Sequence, residues 1–225
     1  APSDAALSPQ QRAKLARALR VDAQDLRKRL SDNRRDFVYL KRQLPPEQAA
    51  RVVELDLPGV FLQREYRRYY PAAEVSAHVV GFTGVDDNGQ EGIELAYQDV
   101  LAGKPGSRRV IQDRRGRVVE DVESIRAPQQ GVEVTLSIDQ RIQYLAFREL
   151  KNAIAQNDAR AGSIVVADVT TGEVLALANW PSFNPNNRDT LQTERARNRA
   201  VVDLFEPGST LKPFTIAAAL EAGLV

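Results

Sequence analysis

Glu206-Pro207-Gly208-Ser209-Thr210-Leu211-Lys212-Pro213-Phe214-Thr215-Ile216-Ala217-Ala218-Ala219 decides how this chain of 225 residues is read. A serine hydroxyl is a weak nucleophile until a base takes its proton. Ser209 and Lys212 stand three residues apart, which on a helix puts both side chains on one face. Pro207-Gly208 breaks the chain before the serine, and Pro213 falls in the first turn, where a missing N–H costs little. The spacing predicts a helix opening near Ser209, with Ser209 as nucleophile, Lys212 as general base and the Ser209 N–H aimed at a developing oxyanion. Lys212 must be neutral part of the time to accept a proton, and burial against the apolar residues that follow, with the positive end of the helix dipole, would favour that form. The three alanines make a slim helix suited to the inside of a domain. Ser-x-x-Lys alone also describes a capped, buried helix with a surface lysine, so the context of the motif carries the weight.

Upstream, the text alternates between strand and helix signals. Residues 162–169 and 173–178 are β-rich runs joined at Thr170-Thr171-Gly172, a predicted hairpin. Before it, Asp139 caps a helix whose apolar face is Ile142, Leu145, Ala146, Leu150 and Ile154. Residues 180–187 read as a Pro- and Asn-rich loop, and a helix is expected over 193–200. Residues 132–136 alternate as a strand, following a boundary at Pro128-Gln129-Gln130-Gly131. Further back come a hairpin about Asp113-Arg114-Arg115-Gly116, a helix over 93–101, a Gly- and Asp-rich loop over 84–89, a helix over 76–80 and a strand over 60–66. The first third is amphipathic helix, with Ser8 and Pro9 as cap and first helical residue and Leu15, Leu19, Leu26 and Leu30 at helical spacing.

Composition narrows the chemistry. With 43% hydrophobic and 27% charged residues the chain can build a real core. Cysteine is absent, which excludes disulfides, thiolate zinc and cysteine nucleophiles. The single histidine, His78, rules out a two-histidine metal site and is expected to serve a structural hydrogen bond. Asp168 and Asp203 show no metal spacing, so neither metal nor cofactor is expected. The formal charge of +1 singles out no nucleic acid or anionic membrane, and the clusters Arg64, Arg67, Arg68 and Arg114, Arg115, Arg117 read as solvated faces. Glu94 with Arg67 is a candidate buried ion pair, and Trp180 a packing residue. No apolar run is long enough to span a bilayer.

Several motifs in order resemble the class B penicillin-binding proteins, and among them the division-specific transpeptidases of Gram-negative bacteria. Tyr69-Tyr70-Pro71, His78, Gly81-Phe82-Thr83, Gly92-Ile93-Glu94 and Asp113-Arg114-Arg115-Gly116-Arg117 resemble linker-domain motifs. Thr135-Leu136-Ser137-Ile138-Asp139 with Gln143, and Pro181-Ser182-Phe183-Asn184-Pro185-Asn186, resemble the entry to the transpeptidase domain, and Ser209-Thr210-Leu211-Lys212 its nucleophile motif. The resemblance implies an α+β fold: an elongated linker or pedestal domain over residues 1–130, lacking its opening segment, then the first part of a serine β-lactamase-like transpeptidase domain over 131–225. It implies that Ser209 attacks the D-Ala-D-Ala carbonyl of a peptidoglycan stem peptide and that Lys212 takes the proton. β-Lactams would acylate the same serine, other division proteins would be partners, and a single-pass anchor absent here would hold the parent protein at the periplasmic face of the inner membrane. Between Ser209 and Val225 there is no Ser-x-Asn or Lys-Thr/Ser-Gly motif. The chain is therefore expected to be truncated and its site idle alone. A non-catalytic docking module and a Ser-x-x-Lys β-lactamase or β-lactam sensor are the alternatives.

Overall fold

The computed structural model describes residues 7–31, 37–112, 118–187 and 191–224. Its helices are α1 (Pro9–Leu19), α2 (Ala23–Leu30), α3 (Pro46–Val53), α4 (Ala77–Val80), α5 (Gly92–Ala96), α6 (Gln98–Leu101), α7 (Gln140–Gln156), α8 (Thr193–Ala196), α9 (Arg199–Val202) and α10 (Lys212–Glu221), with 3-10 turns at Ala73–Val75 and Gly208–Leu211. Its strands form antiparallel pairs: β1 (Phe82–Thr83) with β2 (Gly89–Glu91), β3 (Ser107–Gln112) with β4 (Val118–Arg126), and β5 (Gly162–Ala167) with β6 (Val174–Trp180). The chain divides into two compact units, Ala1–Tyr70 with Phe82–Val134, and Pro71–Gly81 with Thr135–Val225. The second thus takes in a short segment from inside the sequence of the first.

In the first unit, Ser8 opens α1 with a reciprocal cap: the Gln11 N–H donates to Ser8 Oγ (3.2 Å) and the Ser8 N–H to Gln11 Oε1 (2.8 Å). Arg20, left-handed at φ 52°, ends that helix, and Asp22 caps α2. The leucine pattern therefore belongs to two helices, which bury Leu15, Leu19 and Leu26 with Val52 of α3 and Leu57. Residues 60–69 belong to no helix and form no ladder among the described residues, unlike the strand expected over 60–66. Aromatic and β-branched composition favours extended backbone, whereas a ladder needs a partner strand that local sequence does not supply. The helix expected over 93–101 is broken at Tyr97. Buried Glu94 pairs with Arg68 (3.2 Å), the neighbour of Arg67. The turn expected over 113–116 lies outside the described residues.

Residues 128–132 close the first unit. Lys104 and Gln129 form a bridge, the Val132 N–H donates to the Val100 carbonyl (2.9 Å), and a Cβ on Gly131 would stand 2.0 Å from the Leu101 carbonyl oxygen, so only glycine fits. The strand expected over 132–136 forms no ladder among the described residues, and its first residue bonds instead to Val100.

In the second unit, Asp139 caps α7, accepting from the N–H groups of Arg141 (2.8 Å) and Ile142 (3.2 Å). These bonds, that of Ile142 foremost, hold its carboxyl below the usual carboxylate range. The helix packs on β6 through Ala146, Phe147 and Leu150 against Ala176 and Ala178. Those two alanines let helix and strand approach closely. Gln143 is fully buried in that contact. Its Nε2 donates to the carbonyls of Val75 (2.7 Å) and Leu177 (2.9 Å), and its Oε1 accepts the Leu177 N–H (2.8 Å). Trp180 packs beside Phe147 (6.1 Å between ring centres), with Lys151 Nζ 5.3 Å above its ring.

Replacing Gln143 with Leu keeps the volume but strands buried backbone groups at Leu177 and Val75. Chemical denaturation is expected to show a loss of about 2–4 kcal/mol.

Candidate active site

The hairpin β5–β6 feeds the segment that precedes Ser209. Asn179, near the end of β6, is 1% exposed. Its Oδ1 accepts from Ser163 Oγ (2.8 Å) and from the Ala200 N–H at the start of α9 (2.8 Å), and its Nδ2 donates to Asn198 Oδ1 (2.9 Å). His78 of α4 grips the same segment, with Nε2 2.8 Å from the Arg195 carbonyl. A carbonyl can only accept, so Nε2 carries the proton. Its ring meets Phe183 edge to face at 5.5 Å. Ser182 Oγ donates to the Glu74 carbonyl (2.8 Å), which fastens the loop after β6 to the segment before α4.

The helix expected over 193–200 is interrupted because Asn198 turns its side chain to Asn179, and α8 and α9 flank that bond. Arg197 Nε lies 2.5 Å from Asp203 Oδ1, and Arg199 pairs with Asp203 Oδ2 (3.0 Å) and with Glu194 (3.2 Å). Asp203, six residues before Ser209 in sequence, is thus held by two guanidinium groups.

Ser209 itself lies in the 3-10 turn Gly208–Leu211, and α10 starts only at Lys212. Gly208 has φ +52°, a left-handed backbone that glycine adopts without strain, and this bends the chain into the turn. The Lys212 N–H donates to the Ser209 carbonyl. An i to i+3 turn of three residues eclipses the side chains of its ends, so Ser209 and Lys212 leave the backbone on the same side. The Ser209 N–H has no acceptor among the described residues and is free to meet an anionic oxygen. The burial expected around Lys212 is not found: Ser209, Lys212 and nearly all of α10 are exposed, with Phe214 72% and Ile216 57% accessible. Nor is there a hydrogen bond between Ser209 Oγ and Lys212 Nζ among the described residues. The expectation failed because burial depends on neighbours the motif does not specify. The backbone turn sets Ser209 and Lys212 on one side of the chain, and both residues are exposed.

Asn179 and Asn198 were missed by sequence reasoning. A lone polar residue at position 179, in an otherwise apolar β-run, was the available signal.

Residues 2–136 match the model of the penicillin-binding protein dimerisation domain, and residues 162–225 that of the penicillin-binding protein transpeptidase domain. The chain belongs to the penicillin-binding proteins. It is 49% identical over 212 residues to the peptidoglycan D,D-transpeptidase FtsI of Escherichia coli, covering 94% of this chain and 36% of that protein. The probable peptidoglycan D,D-transpeptidase PenA of Neisseria gonorrhoeae is 45% identical, with 93% and 36% covered. The chain thus spans little more than a third of the length of these relatives. Among solved structures, penicillin binding protein 3 of Mycobacterium tuberculosis aligns at TM-score 0.58 and 34% identity over 69% of this chain and 32% of that one. A peptidoglycan synthetase of Bifidobacterium adolescentis aligns at TM-score 0.61 and 26% identity over 98% and 40%. The α+β architecture, a dimerisation-type domain followed by the start of a transpeptidase domain, agrees with the resemblance read from the motifs.

His78 gives a testable pH dependence. Burial pushes its pKa below the ordinary value and the charge of Arg199 adds to this, while the bond to the Arg195 carbonyl works the other way. The folded state then binds a proton less readily than the unfolded one. Its contribution to stability is whole above the unfolded value of about 6.5 and is lost as pH falls from there through the depressed folded value. Thermal melts from about pH 7.5 to 5.5 should show a falling midpoint in this window, and His78→Gln should flatten the fall.

Proposed function

We propose that this chain is part of a serine D,D-transpeptidase that cross-links peptidoglycan stem peptides at the division septum. The observation that carries the reading is the Gly208–Leu211 turn at the head of α10, which sets Ser209 and Lys212 on one side with the Ser209 N–H free, inside a region that matches the transpeptidase domain. Lys212 takes the Ser209 proton as Oγ bonds to the penultimate D-alanine carbonyl carbon, and the oxyanion turns to the Ser209 N–H. Collapse breaks the C–N bond, and terminal D-alanine leaves as the amine, carrying the proton. An amino group of a neighbouring stem then attacks the acyl-enzyme and loses its proton to Lys212, which passes it to Oγ as the ester C–O bond breaks, releasing Ser209 with the cross-link formed.

The domain reading follows: residues 1–130 as the linker or pedestal domain, a surface for other division proteins, and 131–225 as the beginning of the transpeptidase domain. The contact division at Val134/Thr135 lies close to this, although it assigns Pro71–Gly81 to the second unit. β-Lactams belong to the proposal as mimics of the acyl donor, supported by the aztreonam complex of the mycobacterial structure. A periplasmic location at the inner membrane goes with the substrate. No helix among the described residues is long and apolar enough to cross a membrane.

Intact-mass analysis with a labelled penicillin, on the protein extended to the length of its relatives, tests the chemistry. A persistent adduct on Ser209 is expected, absent in Ser209→Ala and formed about 10²–10⁴-fold more slowly in Lys212→Ala. An adduct on another residue would contradict the assignment. Rapid release of the label would mark a lactamase, and no adduct on the extended protein would leave a docking module.

A further inference from the structure

Between Arg12 and Arg42 the chain carries eleven Lys and Arg against four Asp, in a protein whose formal net charge is +1. Positive charge is therefore concentrated on α1, α2 and the segment that follows them. Lys14, Arg17 and Arg20 along α1 and its cap, and Arg27 and Lys28 on α2, are exposed, and no carboxylate pairs with any of them among the described residues. Of the acids on these elements, Asp22 is committed to capping the N–H groups of Gln24 (2.7 Å) and Asp25 (3.1 Å). Asp25 stands in the first turn of α2, away from the cationic last turn.

The charge sits beside an apolar surface. Arg29 donates to the carbonyls of Tyr39 (3.2 Å) and Leu40 (3.1 Å), and Lys41 Nζ to the Leu19 carbonyl (2.7 Å). These bonds hold residues 37–41 against the carboxyl ends of both helices, where Arg17, Arg20, Arg27 and Lys28 lie. Phe37 meets Tyr39 edge to face at 4.7 Å and Phe61 at 6.0 Å between ring centres. Even so, Phe37 is 44%, Phe61 65% and Leu62 48% exposed. Behind them lies a cavity of about 570 Å³, with Leu15, Leu19, Leu30 and Val52 in its wall.

A solvated face has no use for exposed aromatic rings, and a polyanion groove needs cations alone. Exposed rings bordered by Arg and Lys that no carboxylate pairs among the described residues are the combination that seats a protein in the headgroup layer of an anionic bilayer, where cations meet lipid phosphates and apolar side chains enter the acyl boundary. We propose that this face of the first unit docks on an anionic phospholipid surface, with Phe37, Phe61 and Leu62 inserted and Arg17, Arg20, Arg27 and Lys28 on the phosphates.

Co-sedimentation of the full chain with vesicles tests this. Vesicles containing about 30 mol% phosphatidylglycerol should bind at least about tenfold better than pure phosphatidylcholine, and the difference should shrink in about 1 M salt, where screening acts within roughly 3 Å. The triple change Arg17→Glu, Arg20→Glu, Lys28→Glu should lower binding about tenfold or more, with far-UV circular dichroism unchanged. Phe61→Ser with Leu62→Ser should lower it several-fold at unaltered charge. Equal partition to both vesicles, or none to either, would overturn the proposal. Displacement of the chain from vesicles by inorganic polyphosphate, with Phe61→Ser and Leu62→Ser without effect, would overturn it in favour of a general polyanion site.

Discussion

Gln143 is the joint of the second unit. A side-chain carboxamide has the same donor and acceptor as a peptide group, and here it lies along the backbone of β6 as another strand would, taking both the N–H and the carbonyl of Leu177. Its second donor reaches the Val75 carbonyl, which ties a segment distant in sequence to the same point. Buried in this way, the amide has no water to fall back on, so α7, β6 and the turn before α4 must assemble together or not at all. The apolar contacts of Phe147 and Leu150 with Ala176 and Ala178 supply the gain from burial, and Gln143 supplies the register.

From that joint the order extends toward the motif in steps. β6 carries Asn179, Asn179 carries Asn198 and α9, and His78 adds a second hold through the Arg195 carbonyl. Beyond Asp203 the hold ends. Leu204 and Phe205 are open to solvent, and α10 presents apolar side chains around its circumference with almost nothing covering them. A helix apolar on all sides is one built for the inside of a domain. The first unit is organised differently, with an ordinary leucine core and an unbalanced cationic exterior.

What could be read from the sequence was what depends on near neighbours. Ser8 with Pro9, Asp139 ahead of α7 and the Thr170-Thr171-Gly172 hairpin all stand where local rules place them. The misreadings share one cause. Residues 60–66 and 132–136 have the composition of strands, yet pairing is decided by distant backbone. Tyr97 and Asn198 interrupt helices whose apolar pattern runs on, and at Asn198 the reason is a side-chain bond to a residue nineteen positions away. Assignment of Pro71–Gly81 to the second unit was likewise invisible, because Gln143 and Ser182 reach for carbonyls, which every residue carries. Burial of Lys212 was inferred from apolar neighbours in sequence, and those neighbours are themselves exposed.

A scaffold pinned at Gln143 is fully formed, while the turn and helix bearing Ser209 and Lys212 are almost wholly exposed. Hydrogen–deuterium exchange of the chain, resolved by residue, measures this directly. Amides of α7 and β6, Leu177 among them, should exchange slowest in the second unit, and those of α10 orders of magnitude faster. Protection of α10 equal to that of α7, or exchange of Leu177 as fast as that of α10, would contradict the account.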